Sequence, residues 1–172
     1  MTTERLLPRY EAALHDDGLY GLLRALNATT SYRFTGIYRF DGEWVRNVWL
    51  YDRTRPDVRL GSDVLWDASY CRITASDGGI CEIVNSLEDA RLRAHPAREV
   101  VQSYLGVVLR LHNSPVFGTL CHYDVEPRVA PRGALEGLRA ITLLVERALH
   151  AELASARQTR GMLDPVTESD LP

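Results

Sequence analysis

The chain has 172 residues, with 20 Lys-plus-Arg and 23 acidic side chains and a formal net charge of −3; all of the Lys-plus-Arg positions are arginine. A chain without lysine cannot form a Schiff base to pyridoxal phosphate or to a carbonyl substrate, and it cannot carry the lysine of a phosphate-binding loop or of a protein kinase. The mild negative charge excludes non-specific nucleic-acid binding, no apolar run approaches the ~20 residues of a membrane span, and three cysteines without Cys-x-x-Cys spacing fit a reducing compartment, by default the cytoplasm.

Residues 4–27 place Leu6, Leu7, Tyr10, Leu14, Leu19, Leu22, Leu23 and Leu26 at helical spacing, and Asp17-Gly18 predicts a bend or break between two halves. RFTGIYRF (33–40) and WVRNVWLYD (44–52) flank Asp41-Gly42 and read as a β-hairpin. VLWDASYCRIT (64–74) fits a helix, a strand or one of each. After the turn at Asp77-Gly78-Gly79 comes a short strand, ICEIVNS (80–86), then a short helix over 87–99 interrupted near Pro96. SYLGVVLRL (103–111) and VFGTLCHYD (116–124) form a second hairpin around HNSP. A last helix is expected from Pro131 to about residue 155, with Leu135, Leu138, Ile141, Val145, Leu149 and Leu153 in one stripe. The expectation is a single α+β domain over 1–155 with a mobile tail at 156–172. Its mainly antiparallel sheet has five to six strands, flanked by the N- and C-terminal helices.

One stretch carries a more specific pattern. An aromatic-Cys pair (Tyr70-Cys71) is followed by Asp-x-Arg (Asp89, Arg91), a strand with aromatic-x-Gly (Tyr104, Gly106, Leu109), and Gly-Thr-Leu-Cys (118–121) ending in Asp124 and Pro127-Arg128. This resembles the GAF domain family, in particular the stand-alone or sensor-linked GAF domains of bacteria. The chain departs from the family pattern at Val108, where proline is usual, and at Asn85, where aspartate is common. With no lysine, it also lacks the Asn-Lys…Phe…Asp-Glu signature of the cyclic-nucleotide-binding subclass.

The resemblance implies a pocket between one face of the sheet and the loops and short helices covering it, holding a small organic ligand non-covalently, with no cofactor required. The candidate lining residues are Trp49, Tyr51, Trp66, Tyr70, Cys71, Tyr104 and His122. By strand alternation Trp49 and Tyr51 share one face, and Val48 and Leu50 the other. Such domains often dimerise through helices beside the sheet, so a second copy and a signalling protein are the expected partners. Nucleic acid and membrane are not.

The residues leave two other readings open. Cys71 and Cys81, ten positions apart around a Gly-Gly turn, invite comparison with the free methionine-(R)-sulfoxide reductases of the GAF family, and a self-filled structural dimerisation module is the third version. Cys121 reads as a small buried hydrophobe. Cys121-His122 resembles a bilin-anchoring pair by chance, and for haem the candidates are His95 and His122, each a weak signal alone. Asp89 and Arg91 are expected to cap and pin a short helix rather than to catalyse.

Overall fold

The computed structural model describes residues 3–111 and 114–163, with side-chain environments over 7–111 and 116–156. Helix α1 (Thr3–Asn27) leads into strands β1 (Phe34–Asp41) and β2 (Trp44–Asp52). Next come the two-residue strand β3 (Val64–Leu65), a 3-10 turn at Trp66–Ala68, helix α2 (Tyr70–Ser76) and strand β4 (Ile80–Ile83). The chain then passes through a 3-10 turn at Ala90–Leu92 to β5 (Ser103–Leu111), β6 (Ser114–Asp124) and helix α3 (Ala134–Leu163). Every pairing is antiparallel, and the six strands lie in the order β3-β2-β1-β6-β5-β4.

Both hairpins form. Gly42 takes φ 62° as the first of two loop residues between Asp41 and Trp44, the position such loops reserve for glycine. The tip of the second hairpin, His112 and Asn113, lies outside the described residues. α1 is kinked where Asp17-Gly18 predicts it, Gly18 turning to φ 58°. The ambiguous 64–74 stretch resolves into one of each, a short strand and then α2.

Three boundaries differ from expectation. The helix expected over 87–99 shrinks to the 3-10 turn at Ala90–Leu92, whose first residues are held by the Asp89 carboxylate accepting from the Arg91 N–H at 3.0 Å. The last helix begins at Ala134, after Gly133 at φ 84° has turned the chain, so Pro131 stands before it. That helix continues to Leu163, and residues 164–172 of the expected tail lie outside the described residues. No helix among the described residues is long and apolar enough to cross a membrane.

α1 and α3 cover one face of the sheet. Leu19, Leu22, Leu23 and Leu26 from α1 and Leu138, Ile141, Val145 and Leu149 from α3 pack on Ile37, Leu105, Val107, Leu109 and Leu120. The other face carries a second apolar cluster, with Tyr38, Val45, Tyr70, Cys71, Cys81, Ile83, Tyr104 and Cys121. Val108, in place of proline, donates its N–H to the Gly79 carbonyl at 2.9 Å and so ties the turn before β4 to β5, a bond proline could not make.

A bulge in β2 decides which side chains reach which face. Ile37 pairs with Trp49 but Tyr38 with Asn47, leaving Val48 as the extra residue. Val48, Trp49 and Tyr51 consequently all pack on the helix-covered side, while Leu50 and Asp52 stay on the other. Strict alternation had put Val48 with Leu50; the bulge overturns that.

Candidate functional site

On the face away from α1 and α3 the sheet is covered by short elements, and between them lies a cavity of about 480 Å³. Its floor comes from β1, β5 and β6 through Phe34, Tyr38, Tyr104, Cys121 and Tyr123. Its walls are the turn and first residues of α2 (Ala68, Ser69, Tyr70, Cys71), the β2–β3 connection (Arg55, Val58, Leu60, Gly61, Ser62), and Ala97 and Val101.

Two glycines make the room. The Tyr104 ring folds over Gly106 and the Tyr38 ring over Gly36, and a Cβ at either glycine would press into the tyrosine above it. The rings therefore lie along the floor instead of standing up to fill the space. Their hydroxyls are paired: Tyr38 with Tyr123 at 2.9 Å, and Tyr104 with Thr74 Oγ1 at 3.0 Å. Burial pushes all three phenols above their ordinary pKa, so they are neutral hydrogen-bonding groups.

The cavity rim is charged. Asp52 is almost completely buried and receives a two-pronged contact from Arg33, Nε to Oδ1 at 3.0 Å and Nη2 to Oδ2 at 2.9 Å. Thr54 adds its N–H and its hydroxyl to Oδ1, at 2.9 and 2.8 Å. Burial alone would raise this carboxyl; the Arg33 fork and the Thr54 donors outweigh it and hold the pKa well below the usual carboxylate range. Arg55 stands outside with its Nε 3.7 Å from Asp52 and its side chain mostly in solvent. It is the one arginine in the cavity lining.

Cys71 sits in the first turn of α2, its N–H held by the Ser69 cap at 3.0 Å. Its sulfur accepts from Thr119 Oγ1 at 3.0 Å and lies 3.7 Å from the Tyr104 hydroxyl, and Cys121 lies in the same buried cluster. Hydrogen bonding, with Cys121 first and then with Ser69, Thr119 and Tyr104, lowers the Cys71 pKa against the opposing effect of burial. Cys121 is raised, by burial first and then by Cys71 itself.

Of the residues singled out from the sequence, Tyr70, Cys71 and Tyr104 line this cavity. Trp66 does not; it meets Phe40 edge-on at 4.8 Å between centroids, beside the site. Trp49, Tyr51 and His122 belong to the opposite face. Trp49 Nε1 reaches Glu152 of α3 at 3.2 Å, and Tyr51 meets Tyr20 of α1 at 5.7 Å. His122 stacks on Tyr32 at 5.8 Å, with Nδ1 2.7 Å from Thr35 Oγ1. Because Asn27 Nδ2 already donates to Thr35 Oγ1 at 2.9 Å, the threonine proton is free to point at Nδ1, and burial keeps the ring neutral with a pKa pushed down to about 3.

The sequence reading missed Phe34, Tyr38, Asp52, Cys121 and Tyr123. A signal was there for β6: Cys121 and Tyr123 alternate with His122, so a site containing one could not contain the other. Cys71 and Cys81 share one buried cluster, but not through paired strands. Cys71 is helical, and Cys81 faces a second, smaller cavity with Arg72, Arg91 and His95. Cys121 is buried as expected, yet it is part of the cavity lining. Asp89 and Arg91 are locked together, Nη2 to Oδ2 at 2.6 Å, as a structural pair.

No family model matches the sequence, and no match is found among curated proteins. Solved structures do match the fold. The GAF domain of an Acinetobacter phosphoenolpyruvate-protein phosphotransferase superposes with a TM-score of 0.68 at 16% identity, over 90% of this chain and 97% of that one. Free methionine-R-sulfoxide reductase from Neisseria meningitidis, solved with its substrate, gives 0.68 at 14% identity over 89% and 91%. The phycoerythrobilin-bound GAF domain of a cyanobacterial phytochrome gives 0.64 at 15% over 88% and 98%. Sheet order, helix placement and these superpositions agree: the chain has the GAF fold.

Proposed function

We propose that this protein is a regulatory GAF domain that holds a small organic molecule non-covalently in the cavity on the open face of its sheet. The observation that carries this reading is the cavity itself: about 480 Å³ of space that the protein's own side chains leave unfilled, within the range of small-molecule sites. Its lining suits a compact, partly aromatic molecule. Tyrosine rings offer flat apolar surface, paired hydroxyls offer hydrogen bonds, and Arg55 at the rim can turn to a carboxylate or similar anion while Arg33 and Thr54 keep Asp52 paired.

The same wall provides a route outward. Val58 and Leu60 of the β2–β3 connection border the cavity, and Arg59 between them reaches Asp17 at 3.3 Å and lies 4.1 Å over the Tyr20 ring. The Tyr20 hydroxyl donates to the Pro56 carbonyl. A ligand that favours one position of this connection thereby favours one setting of the α1 kink, and the mechanism is a population shift. The output passes through the terminal helices to a second copy of the chain. Leu143, on the outer side of α3, is more than half exposed and available to such a contact. Three free thiols suit the cytoplasm as its location.

Native mass spectrometry of freshly purified protein tests the reading. The expected result is a co-purifying mass that Ala68→Trp, placed in the cavity wall, removes while the protein stays folded. A bare wild-type mass together with no thermal stabilisation by any of a panel of small aromatic acids sinks it. Cys71 in the wall keeps one alternative alive, an oxidoreductase acting on methionine-(R)-sulfoxide; turnover with that substrate and a thiol reductant, lost in Cys71→Ser, would establish it. For the dimer, light scattering with Leu143→Glu is the check, a dimeric wild type and monomeric variant being expected.

A further inference from the structure

We infer that Cys71 and Cys121 form a hydroperoxide-reactive thiol pair where the α2 wall of the cavity meets its floor, Cys71 attacking the oxidant and Cys121 closing a reversible disulfide between α2 and β6. The inference uses the cavity as the access route but does not depend on an organic ligand occupying it.

Geometry selects this pair among the three cysteines. Both residues line the same cavity and belong to one buried cluster, and Thr119, two positions before Cys121 on the same face of β6, reaches Cys71 Sγ at 3.0 Å; the two cysteines are only 4% and 1% exposed. Both are reached through the cavity, which has room for a molecule the size of hydrogen peroxide. Cys81 cannot substitute for Cys71. Cys81 pairs with Gly106, and Gly106 with Cys121, so two inter-strand steps, roughly 9.5 Å, separate the Cys81 and Cys121 backbones. That exceeds the ~7 Å limit for a disulfide, and the Tyr104 ring lies over Gly106 between them.

The surroundings also assign the roles. Thr119 points its hydroxyl proton at Cys71 Sγ, with the Tyr104 hydroxyl 3.7 Å away, an arrangement that stabilises a thiolate there. Cys121 instead directs its thiol toward the Gly36 carbonyl at 3.8 Å, as expected of a protonated group. Sulfur of Cys71 attacks the distal oxygen of the hydroperoxide and the O–O bond breaks. The alcohol (or water) leaves with the Cys71 proton, and Cys71 becomes a sulfenic acid. Cys121 sulfur then attacks the Cys71 sulfur, the S–O bond breaks, and water leaves with the Cys121 proton. Overall, two thiols and one hydroperoxide give one disulfide, one alcohol and one water. The new bond draws α2 toward β6 and removes the acceptor that Thr119 and Tyr104 now share, so oxidation reshapes the cavity.

Trypsin places the three cysteines on separate peptides, residues 60–72, 73–91 and 111–128, because the chain cuts only after arginine. The test treats the reduced full chain with stoichiometric hydrogen peroxide, caps remaining thiols with iodoacetamide and maps the peptides by mass. The expected product has lost two hydrogens and joins peptide 60–72 to 111–128. Cys81→Ser should oxidise at the wild-type rate, and Cys121→Ser should stop at a dimedone-reactive Cys71. Cys71→Ser should be slower by roughly tenfold or more. A cross-link that includes 73–91, or a Cys71 that is neither cross-linked nor dimedone-reactive in the wild type, overturns the inference. Because the cross-link map is read on the wild type, it stands even if a serine variant fails to fold.

Discussion

The two faces of the sheet are built from different materials. Under α1 and α3 the contacts are made by leucine, isoleucine and valine at helical and strand spacing, with Leu19, Leu22, Leu23, Leu105, Leu120 and Ile141 all fully buried. The opposite face is covered by two 3-10 turns, a helix of 7 residues and a long connection, and it is rich in tyrosine, cysteine and threonine. Long regular helices can close-pack a surface, and short irregular segments leave a gap. The difference separates the labour: one face holds the fold, and the other offers the space and polar groups a site needs.

The sharpest way to break this division is to delete side chains on each side. Leu120→Ala or Ile141→Ala should cost about 2–5 kcal/mol in chemical denaturation, through lost burial and an unfilled hole. Val101→Ala, on a cavity wall that already borders empty space, should cost less than about 1 kcal/mol. Equal losses would mean that the cavity face is as tightly packed as the other.

Acid sharpens the comparison next. His122 is neutral in the fold with its pKa pushed down to about 3, and it binds a proton more readily when unfolded. Its contribution is therefore complete above about pH 6.5 and is lost as pH falls toward 3, at up to about 1.4 kcal/mol per pH unit. Asp52, on the cavity side, is depressed too, so its contribution is intact above about pH 4 and declines only below that. Stability measured against pH should begin to fall near pH 6, and His122→Asn should shrink that early limb to the part left by His95, whose pKa burial also lowers, while leaving the later one.

A smaller effect belongs to the rim. Arg33→Met strands the buried Asp52 carboxylate with Thr54 and the more distant Arg55, at a cost of about 2 kcal/mol, below the full value for a buried pair because Arg33 is itself about a third exposed. Smallest of all, Tyr123→Phe removes one hydroxyl pair on the floor, about 0.5–1.5 kcal/mol. Thermal unfolding alongside ligand titration would separate this small loss of stability from a larger loss of binding.

Much of the architecture could be read from periodicity and turn chemistry. Asp41-Gly42 and Asp17-Gly18 marked a hairpin and a kink because glycine is the residue that tolerates φ near +60°. The leucine spacing of α1 and α3 marked the faces that meet the sheet. The region between β4 and β5 was misjudged, since Ala90–Leu92 is held by one carboxylate and a few turns rather than by a helical stripe. The site was only partly visible. Tyr70, Cys71 and Tyr104 follow the GAF-like pattern, while Trp49, Tyr51 and His122 were placed in the cavity on their chemistry alone and lie beneath the helices.

The sequence by itself determined the element order, the antiparallel hairpins, the amphipathic helices and the exclusion of every lysine-dependent chemistry, because each of these depends on neighbours close along the chain or on composition. Only the tertiary structure decided which face each strand residue serves. A single extra residue at Val48 moves Trp49 and Tyr51 away from the cavity, and strand pairing sets Cys121 opposite Gly106 and Gly36. Which cysteines share the cavity was likewise decided by long-range contacts, Thr119 of β6 reaching Cys71 of α2 at 3.0 Å. Side-chain alternation is a local rule, but its phase relative to a cavity is set by long-range pairing and by bulges, and no short window of sequence contains either.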